Sequence, residues 1–251
     1  MNIEKIKSVF DEFVHSYDMN ESPIRLKYEH SYRVMNICKG IAEDLELSKE
    51  DTELAMVIGL LHDYARFEQW KQFKTFNDAD SIDHGDLAIS KLFGNNEIFK
   101  FDIPISYYQT IYAATKYHNK YEYPRNASSR DMLFCKLIKD ADKLDIFYLI
   151  SVGKIMITDD ESDITDVISN EFYEEKLLRK EDRKTNSDKI VFYLGMMYDL
   201  NFKYSYKYIK ENGILEKMYD LINRNEKFKT YFNHIDNYIE KGSKEYVRKK
   251  I

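Results

Sequence analysis

Two histidines and two aspartates on the apolar faces of predicted helices form the strongest chemical pattern in the sequence. His30 lies on one apolar face, and the adjacent His62 and Asp63 lie at the end of a second apolar helix. Asp142 lies on the apolar face of a third helix. Burying an imidazole beside a carboxylate is unfavourable unless something pairs them. Nitrogen and oxygen donors that project inward from three helices suit a divalent transition metal, so the pattern predicts a metal site.

The helices that must position these residues are predicted from apolar spacing and from capping residues. Ser48 suits a helix N-cap, Gly94 a helix end and Pro104 a helix start. The predicted helices of this region cover about residues 26–45, 48–67, 83–93, 104–118 and 130–151. Residues 158–189 are densely charged and predict solvated helices and loops. Residues 190–240 predict further amphipathic helices, two of them separated by Gly213.

The composition favours an all-α fold. The 251 residues include only 8 Gly and 3 Pro, too few for the turns that sandwiches and barrels need. Hydrophobic residues make up 43% of the chain, which is enough for a sizeable core. We expect a single helical domain over residues 1–251, with a catalytic core at about 24–150 and an accessory region at about 151–251.

Charge and cysteine content limit the partners and the compartment. The formal net charge of −6 argues against bulk nucleic acid and against an acidic membrane surface as partners. Cys38 and Cys135 form neither a disulfide framework nor a zinc-ligand pattern, so we interpret both as reduced core thiols. The N-terminal segment predicts an amphipathic helix rather than a signal peptide, and no apolar run is long enough to span a membrane. We therefore expect a cytoplasmic protein.

The ordered series of His30, His62-Asp63 and Asp142 resembles the signature of the HD-domain metal-dependent phosphohydrolase superfamily. The segments GLLHDYARFEQW and KTFNDADSIDHGDLA are similar to two stretches found in a bacterial subgroup of that superfamily. The resemblance covers about residues 24–150, roughly half of the chain. It implies an HD-type helical bundle with additional C-terminal helices.

The resemblance implies a first divalent ion, whose identity (Mn, Fe, Co, Ni, Zn or Mg) stays open. Its ligands would be His30, His62, Asp63 and Asp142. Asp140 remains an alternative to Asp142, because Leu137 and Leu144 form an equally apolar stripe beside it.

Members of the superfamily with two ions add two histidines between the His-Asp pair and the last Asp. His84 and His118 occupy that interval. His118 follows Ile111 and Ala114 at helical spacing, so we expect it to point inward. Asp63 would then bridge the two ions. The alternative is a single ion, with His84 binding a phosphate oxygen or donating a proton.

Two cations near these ligands are the predicted phosphate-binding groups. Lys143 directly follows the last Asp of the series, and Arg66 lies one turn after the His-Asp pair. Arg suits bidentate phosphate contact, and Lys acts as a point charge. The alternative for each is a surface ion pair with a neighbour such as Asp140 or Glu68. His15 and His234 lie in terminal helices without a nearby ligand pattern, and we interpret both as structural or surface residues.

The resemblance implies hydrolysis of a small phosphate ester by water that the metal activates, with Asp63 and His84 in the catalytic machinery. We expect a phosphomonoesterase or phosphodiesterase, with a nucleotide as substrate. Tyrosines between residues 107 and 123 could stack a nucleobase, although packing explains most of them. Two alternatives stay open, a di-iron oxygenase and a regulatory module that binds a nucleotide without turnover. The sequence has no glycine-rich phosphate loop, so side chains and metal must handle the phosphate.

Overall fold

The computed structural model describes residues 1–245, and this part of the chain contains helices and no strand. The prediction of an all-α fold is therefore confirmed. The chain divides into two compact units, Met1–Asp142 and Lys143–Ile251. The division does not test the prediction of a single domain over residues 1–251, which stays a prediction.

The first unit contains six α-helices and the start of a seventh, which continues into the second unit. They are α1 (Ile3–His15), α2 (Ser22–Asp44), α3 (Lys49–Leu61), α4 (Arg66–Phe73), α5 (His84–Ile89), α6 (Tyr108–Tyr117) and α7 (Ser129–Ser151). Short 3-10 turns at Asp78–Asp80, Glu97–Phe101 and Ile105–Tyr107 and a π turn at Ser90–Gly94 lie between α4 and α6. The predicted cap of α3 is present, since Ser48 Oγ accepts from the Asp51 amide at 3.1 Å.

The second unit contains five further α-helices over its described residues. They are α8 (Asp166–Tyr173), α9 (Asn186–Gly195), α10 (Lys203–Glu211), α11 (Ile214–Leu221) and α12 (Lys229–Glu245). The 3-10 turns of this unit lie at Lys180–Asp182, Met196–Asp199 and Glu226–Phe228. Gly213 separates α10 from α11 as predicted, with a left-handed φ of 58°.

The predicted helix over residues 48–67 is wrong as a single element, because the chain turns between α3 and α4. The turn is closed by bonds from the Tyr64 amide to the Leu61 carbonyl at 3.1 Å and from the Arg66 amide to the Asp63 carbonyl at 2.9 Å. It brings Tyr64 and Phe67, both fully buried, into the core. It also leaves His62 and Asp63 at the C-terminal end of α3 rather than inside a helix.

Two other predicted helices are shorter than expected. The helix predicted over residues 83–93 is α5 followed by the π turn, with Asp83 as the N-cap of α5 through a 2.9 Å bond from the Asp86 amide. The helix predicted from Pro104 begins with a 3-10 turn, and α6 starts at Tyr108.

Two close helix contacts depend on glycine. A Cβ at Gly59 of α3 would lie 2.8 Å from the Cα of Met35 in α2, so the two helices touch at backbone distance. A Cβ at Gly85 of α5 would lie 2.9 Å from the carbonyl oxygen of Lys116 in α6. Close contact of α2 with α3 and of α5 with α6 is therefore possible only because neither glycine carries a side chain.

We expect Gly59→Ala to lower the free energy of unfolding by about 1–3 kcal/mol, because the added methyl group must displace the α2 backbone. Urea denaturation of the variant measures this change. Gly94→Ala is the matched control, since a Cβ there would meet nothing nearer than Ser90 Oγ at 3.8 Å. Equal stability of the two variants would contradict the close α2–α3 contact.

Candidate metal centre

The structure brings the six predicted metal ligands together within the first unit. Three groups of them have ligand atoms within 4.8 Å of one another. The groups are His30 with His62 and Asp63, His62 with His118 and Asp142, and Asp63 with His84 and His118. All six residues are buried except Asp142, whose side chain is 23% exposed. This cluster is called the metal centre below.

The four imidazoles form two pairs. His30 Nε2 lies 3.2 Å from His62 Nε2, and His84 Nε2 lies 2.9 Å from His118 Nε2. The first pair joins α2 to the end of α3, and the second joins the start of α5 to the end of α6. Each pair is therefore placed by one of the two glycine-dependent helix contacts.

The Asp63 carboxylate lies between the two pairs. Its Oδ2 atom is 3.4 Å from His30 Nε2 and 3.6 Å from His62 Nε2. Its Oδ1 atom is 3.5 Å from the Nε2 atoms of both His84 and His118. One oxygen thus faces each pair, which is the arrangement that a bridging carboxylate requires.

Asp142, in α7, completes the first group of donors. Its Oδ1 atom lies 3.2 Å from His30 Nε2 and 3.8 Å from His62 Nε2. Asp140 is fully buried and belongs to none of the three ligand groups found within residues 1–245. The structure therefore places Asp142, the first choice of the sequence analysis, beside the histidines.

Hydrogen bonds determine which nitrogen of three imidazoles carries the proton. His62 Nδ1 donates to the Gly59 carbonyl at 2.8 Å, and His118 Nδ1 donates to the Thr115 carbonyl at 2.7 Å. A carbonyl oxygen can only accept, so both rings hold their proton on Nδ1. His84 Nδ1 donates to Asp78 Oδ2 at 2.6 Å. In the neutral form of these rings the Nε2 lone pair therefore points into the centre, as in metal-binding histidines with a carbonyl or carboxylate partner.

The donor set fits divalent metal ions. The His84 and His118 Nε2 atoms face each other at 2.9 Å. With both rings neutral each nitrogen carries a lone pair, and two such acceptors repel unless a cation lies between them. Ligand atoms about 2.1 Å from one ion and at right angles to each other are about 3 Å apart. The nitrogen–nitrogen and nitrogen–oxygen separations of the centre, from 2.9 to 3.8 Å, match that spacing or slightly exceed it. Imidazole and carboxylate donors together suit transition metals or zinc.

Both ligand carboxylates stay ionised. Burial by itself would raise the pKa of Asp63, but the positive charges of Lys27 and Arg66 outweigh it and hold the pKa well below its usual range. Burial likewise opposes ionisation of Asp142, but the neighbouring His30 imidazole lowers its pKa more strongly.

Two of the imidazoles stay neutral near pH 7. Burial is the largest cause that lowers the pKa of His84, to about 3, and the positive charge of Arg66 adds to it. Burial also lowers the pKa of His62, against the attraction of Asp63 and Asp142. The neutral ring is the form that binds a metal, and a neutral Nε2 with its lone pair inward has no proton to donate.

Two residues that sequence reasoning missed contact the ligands directly. Lys27 Nζ lies 2.7 Å from Asp63 Oδ2. Asp78 accepts from His84 and, through Oδ1, from Arg66 Nη1 and Gln69 Nε2, both at 3.0 Å. Lys27 lies one helical turn before His30, and Asp78 lies within KTFNDADSIDHGDLA, so the sequence already places both residues close to predicted ligands.

The two predicted phosphate-binding cations have different surroundings. Arg66 Nε lies 3.3 Å from Asp63 Oδ1, and Nη1 donates to Gln69 Oε1 and to the Phe76 carbonyl at 2.7 and 2.8 Å. Its ion pairs are with Asp63 and Asp78 rather than with Glu68. Lys143 pairs with Asp199 at 2.6 Å inside the second unit. The phosphate-binding roles of both cations stay predictions.

Comparison with known families agrees with this geometry. Residues 28–146 match the family model of the HD domain. The chain contains an HD domain. Domains of this family are generally metal-dependent hydrolases and bind divalent metals. No curated protein and no solved structure is significantly similar to the chain. Within residues 1–245, no helix combines the length and the apolar character needed to cross a membrane.

We expect elemental analysis of the purified protein to give about two divalent ions per chain. His84→Ala should reduce the ratio to about one, because it removes a donor from one of the two pairs. His15→Ala is the control, since His15 is exposed in α1, and its ratio should equal that of the wild type. A wild-type ratio of one would exclude the two-ion centre.

The chelated protein should lose stability as the pH falls from about 6.5 to about 4.5. The folded protein keeps the pKa of His84 near 3, whereas a histidine of the unfolded chain titrates near 6.5. The unfolded state therefore binds more protons in this interval, and each pH unit costs up to about 1.4 kcal/mol per such histidine. Urea denaturation with EDTA present measures the slope.

The slope should become smaller in His84→Gln and stay unchanged in His15→Gln. An unchanged slope in His84→Gln would show that His84 is protonated in the folded protein.

Proposed function

We propose that the protein is a metal-dependent phosphohydrolase that acts on a small phosphate ester, with a nucleotide as the preferred class. The observation that carries the proposal is the Asp63 carboxylate, which presents one oxygen to each histidine pair. Two ions held side by side on one carboxylate are typical of enzymes that displace groups at phosphorus.

The charge of the centre supports an anionic substrate. Its donors are four imidazoles and only two carboxylates, Asp63 and Asp142. Two divalent ions would carry more positive charge than these carboxylates neutralise. Lys27 and Arg66 add two cations beside Asp63. A phosphate ester is attracted to such a site, and charge that develops on its oxygens is stabilised there.

In the proposed reaction a water oxygen bonds to phosphorus, the phosphorus–oxygen bond of the ester breaks, and the leaving oxygen takes up a proton. A bound divalent ion would lower the pKa of the water and withdraw negative charge from the phosphoryl oxygens. His30, His62, Asp63, His84, His118 and Asp142 would hold the ions. The chain keeps Asp63 ionised and oriented through Lys27 and Arg66. His84 is neutral, so its part in the reaction is that of a ligand held by Asp78.

The nucleotide part of the proposal rests on the resemblance described above. Three of the tyrosines considered for base stacking, Tyr112, Tyr117 and Tyr123, line a cavity of about 430 Å³ with Arg125. Gln109, also in its lining, lies on the side of α6 opposite to His118. The cavity therefore does not support binding of a nucleobase beside the metal centre.

Activity against phosphate esters tests the proposal. We expect hydrolysis of p-nitrophenyl phosphate, of bis(p-nitrophenyl) phosphate or of a nucleotide by the metal-loaded protein, lost with EDTA and restored by Mn²⁺, Co²⁺ or Zn²⁺. Asp63→Asn should lower kcat/KM by at least about 100-fold, because the amide cannot bridge two ions. Asp44→Asn, an exposed position at the end of α2, should keep wild-type activity.

The same assay separates the two alternatives. An oxygenase would need iron and molecular oxygen, so hydrolysis with Mn²⁺ under anaerobic conditions excludes it. A regulatory module would bind a nucleotide tightly and release no product over a long incubation. Wild-type protein with full metal content and no activity on any ester would contradict the proposed function.

A further inference from the structure

Lys27 is a cation placed at the metal centre that the proposed mechanism has so far used only to hold Asp63. Its Nζ atom lies 2.7 Å from Asp63 Oδ2, and its side chain is 17% exposed. The ring of Phe76 lies on another side, with the ammonium 5.6 Å from the ring centroid. The ammonium is thus held between a carboxylate and an aromatic face at the edge of the cluster.

The ammonium keeps donors available for a ligand. A lysine has three N–H groups, and among residues 1–245 the only hydrogen-bond acceptor of Lys27 is Asp63. Arg66 also has a donor available. Its Nε and Nη1 atoms donate to Asp63, Gln69, Phe76 and Asp78, whereas its Nη2 atom has no acceptor among residues 1–245. Both cations therefore have N–H groups left for a further anion.

The charge of Lys27 is only partly neutralised. Asp63 faces four imidazole nitrogens and also pairs with Arg66, so Lys27 shares its one carboxylate. Lys91 provides a contrast in the same unit, because it is 16% exposed and lies between two carboxylates, Glu68 and Glu97. An incompletely neutralised, partly buried ammonium attracts an anion more strongly than a paired one.

We propose that Lys27 binds a terminal phosphoryl oxygen of the substrate and makes the centre select phosphomonoesters over phosphodiesters. The inference rests on the proposed function and specifies its substrate class. A monoester carries three terminal oxygens and close to two negative charges above its second pKa of about 6. A diester carries two terminal oxygens and one charge. The additional oxygen and the additional charge are what an added cation can recognise.

Binding of two small anions tests the role of Lys27 apart from turnover. Isothermal titration of the metal-loaded protein at pH 8 with inorganic phosphate and with dimethyl phosphate gives the two Kd values. We expect phosphate to bind at least about tenfold more tightly, and Lys27→Met to remove about tenfold of phosphate affinity, with dimethyl phosphate unchanged. Lys27→Arg should retain most of the phosphate affinity, and Lys91→Met, the matched control, should behave as wild type.

A second measurement compares esters. The ratio of kcat/KM for p-nitrophenyl phosphate to that for bis(p-nitrophenyl) phosphate should fall about tenfold in Lys27→Met and stay unchanged in Lys91→Met. The metal-to-chain ratio is measured for every variant. If Lys27→Met loses its metal, Lys27 acts through Asp63 as a positioning residue and the proposal is wrong.

The proposal is also wrong if wild-type protein binds both anions equally, or if Lys27→Met keeps its phosphate affinity. Failure of the proposed function gives a different result. Weaker phosphate binding by Lys27→Met in a protein that hydrolyses no ester would overturn the hydrolase and support Lys27. Ester hydrolysis that is insensitive to Lys27→Met would support the hydrolase and overturn the role of Lys27.

Discussion

The first unit depends on one constraint, which is that four imidazole nitrogens must face one another in a buried space. Facing nitrogens that both carry a lone pair repel each other, and water is largely excluded because all four histidines are exposed by 5% or less. The Asp63 carboxylate presents one oxygen to each histidine pair, at 3.4 to 3.6 Å. α3 ends at Leu61, and the turn that follows places Asp63 beside His30 of α2 and His118 at the end of α6.

Much of the metal centre could be predicted from the sequence, because the information is local. Apolar periodicity shows which face of a helix is buried, and a polar residue on that face is conspicuous. His30, His118 and Asp142 were identified in this way. The choice of Asp142 over Asp140 was different, because helical phase allowed both. It was decided by the resemblance, and the structure then placed Asp142 Oδ1 3.2 Å from His30.

Other features could not be predicted, because they depend on tertiary contacts. No Gly or Pro marks the turn between α3 and α4, and its apolar residues continue the helical spacing. Lys27 lies one helical turn before His30, but its bond to Asp63 is a tertiary contact that spacing along α2 does not give. Lys143 follows Asp142 directly, and adjacent helical residues point about 100° apart. Its pairing with Asp199 agrees with that divergence.

The two glycine contacts have a consequence for the order of folding. His30 and His62 are 32 residues apart and belong to consecutive helices, and His84 and His118 are 34 residues apart. Each pair therefore joins helices that are near each other along the chain, and contacts of low contact order favour fast folding. Asp142 follows His118 by 24 residues and is the last of the six predicted ligands in the chain. During synthesis on the ribosome, both imidazole pairs can consequently emerge before the last ligand, which makes the nascent chain an early competitor for metal.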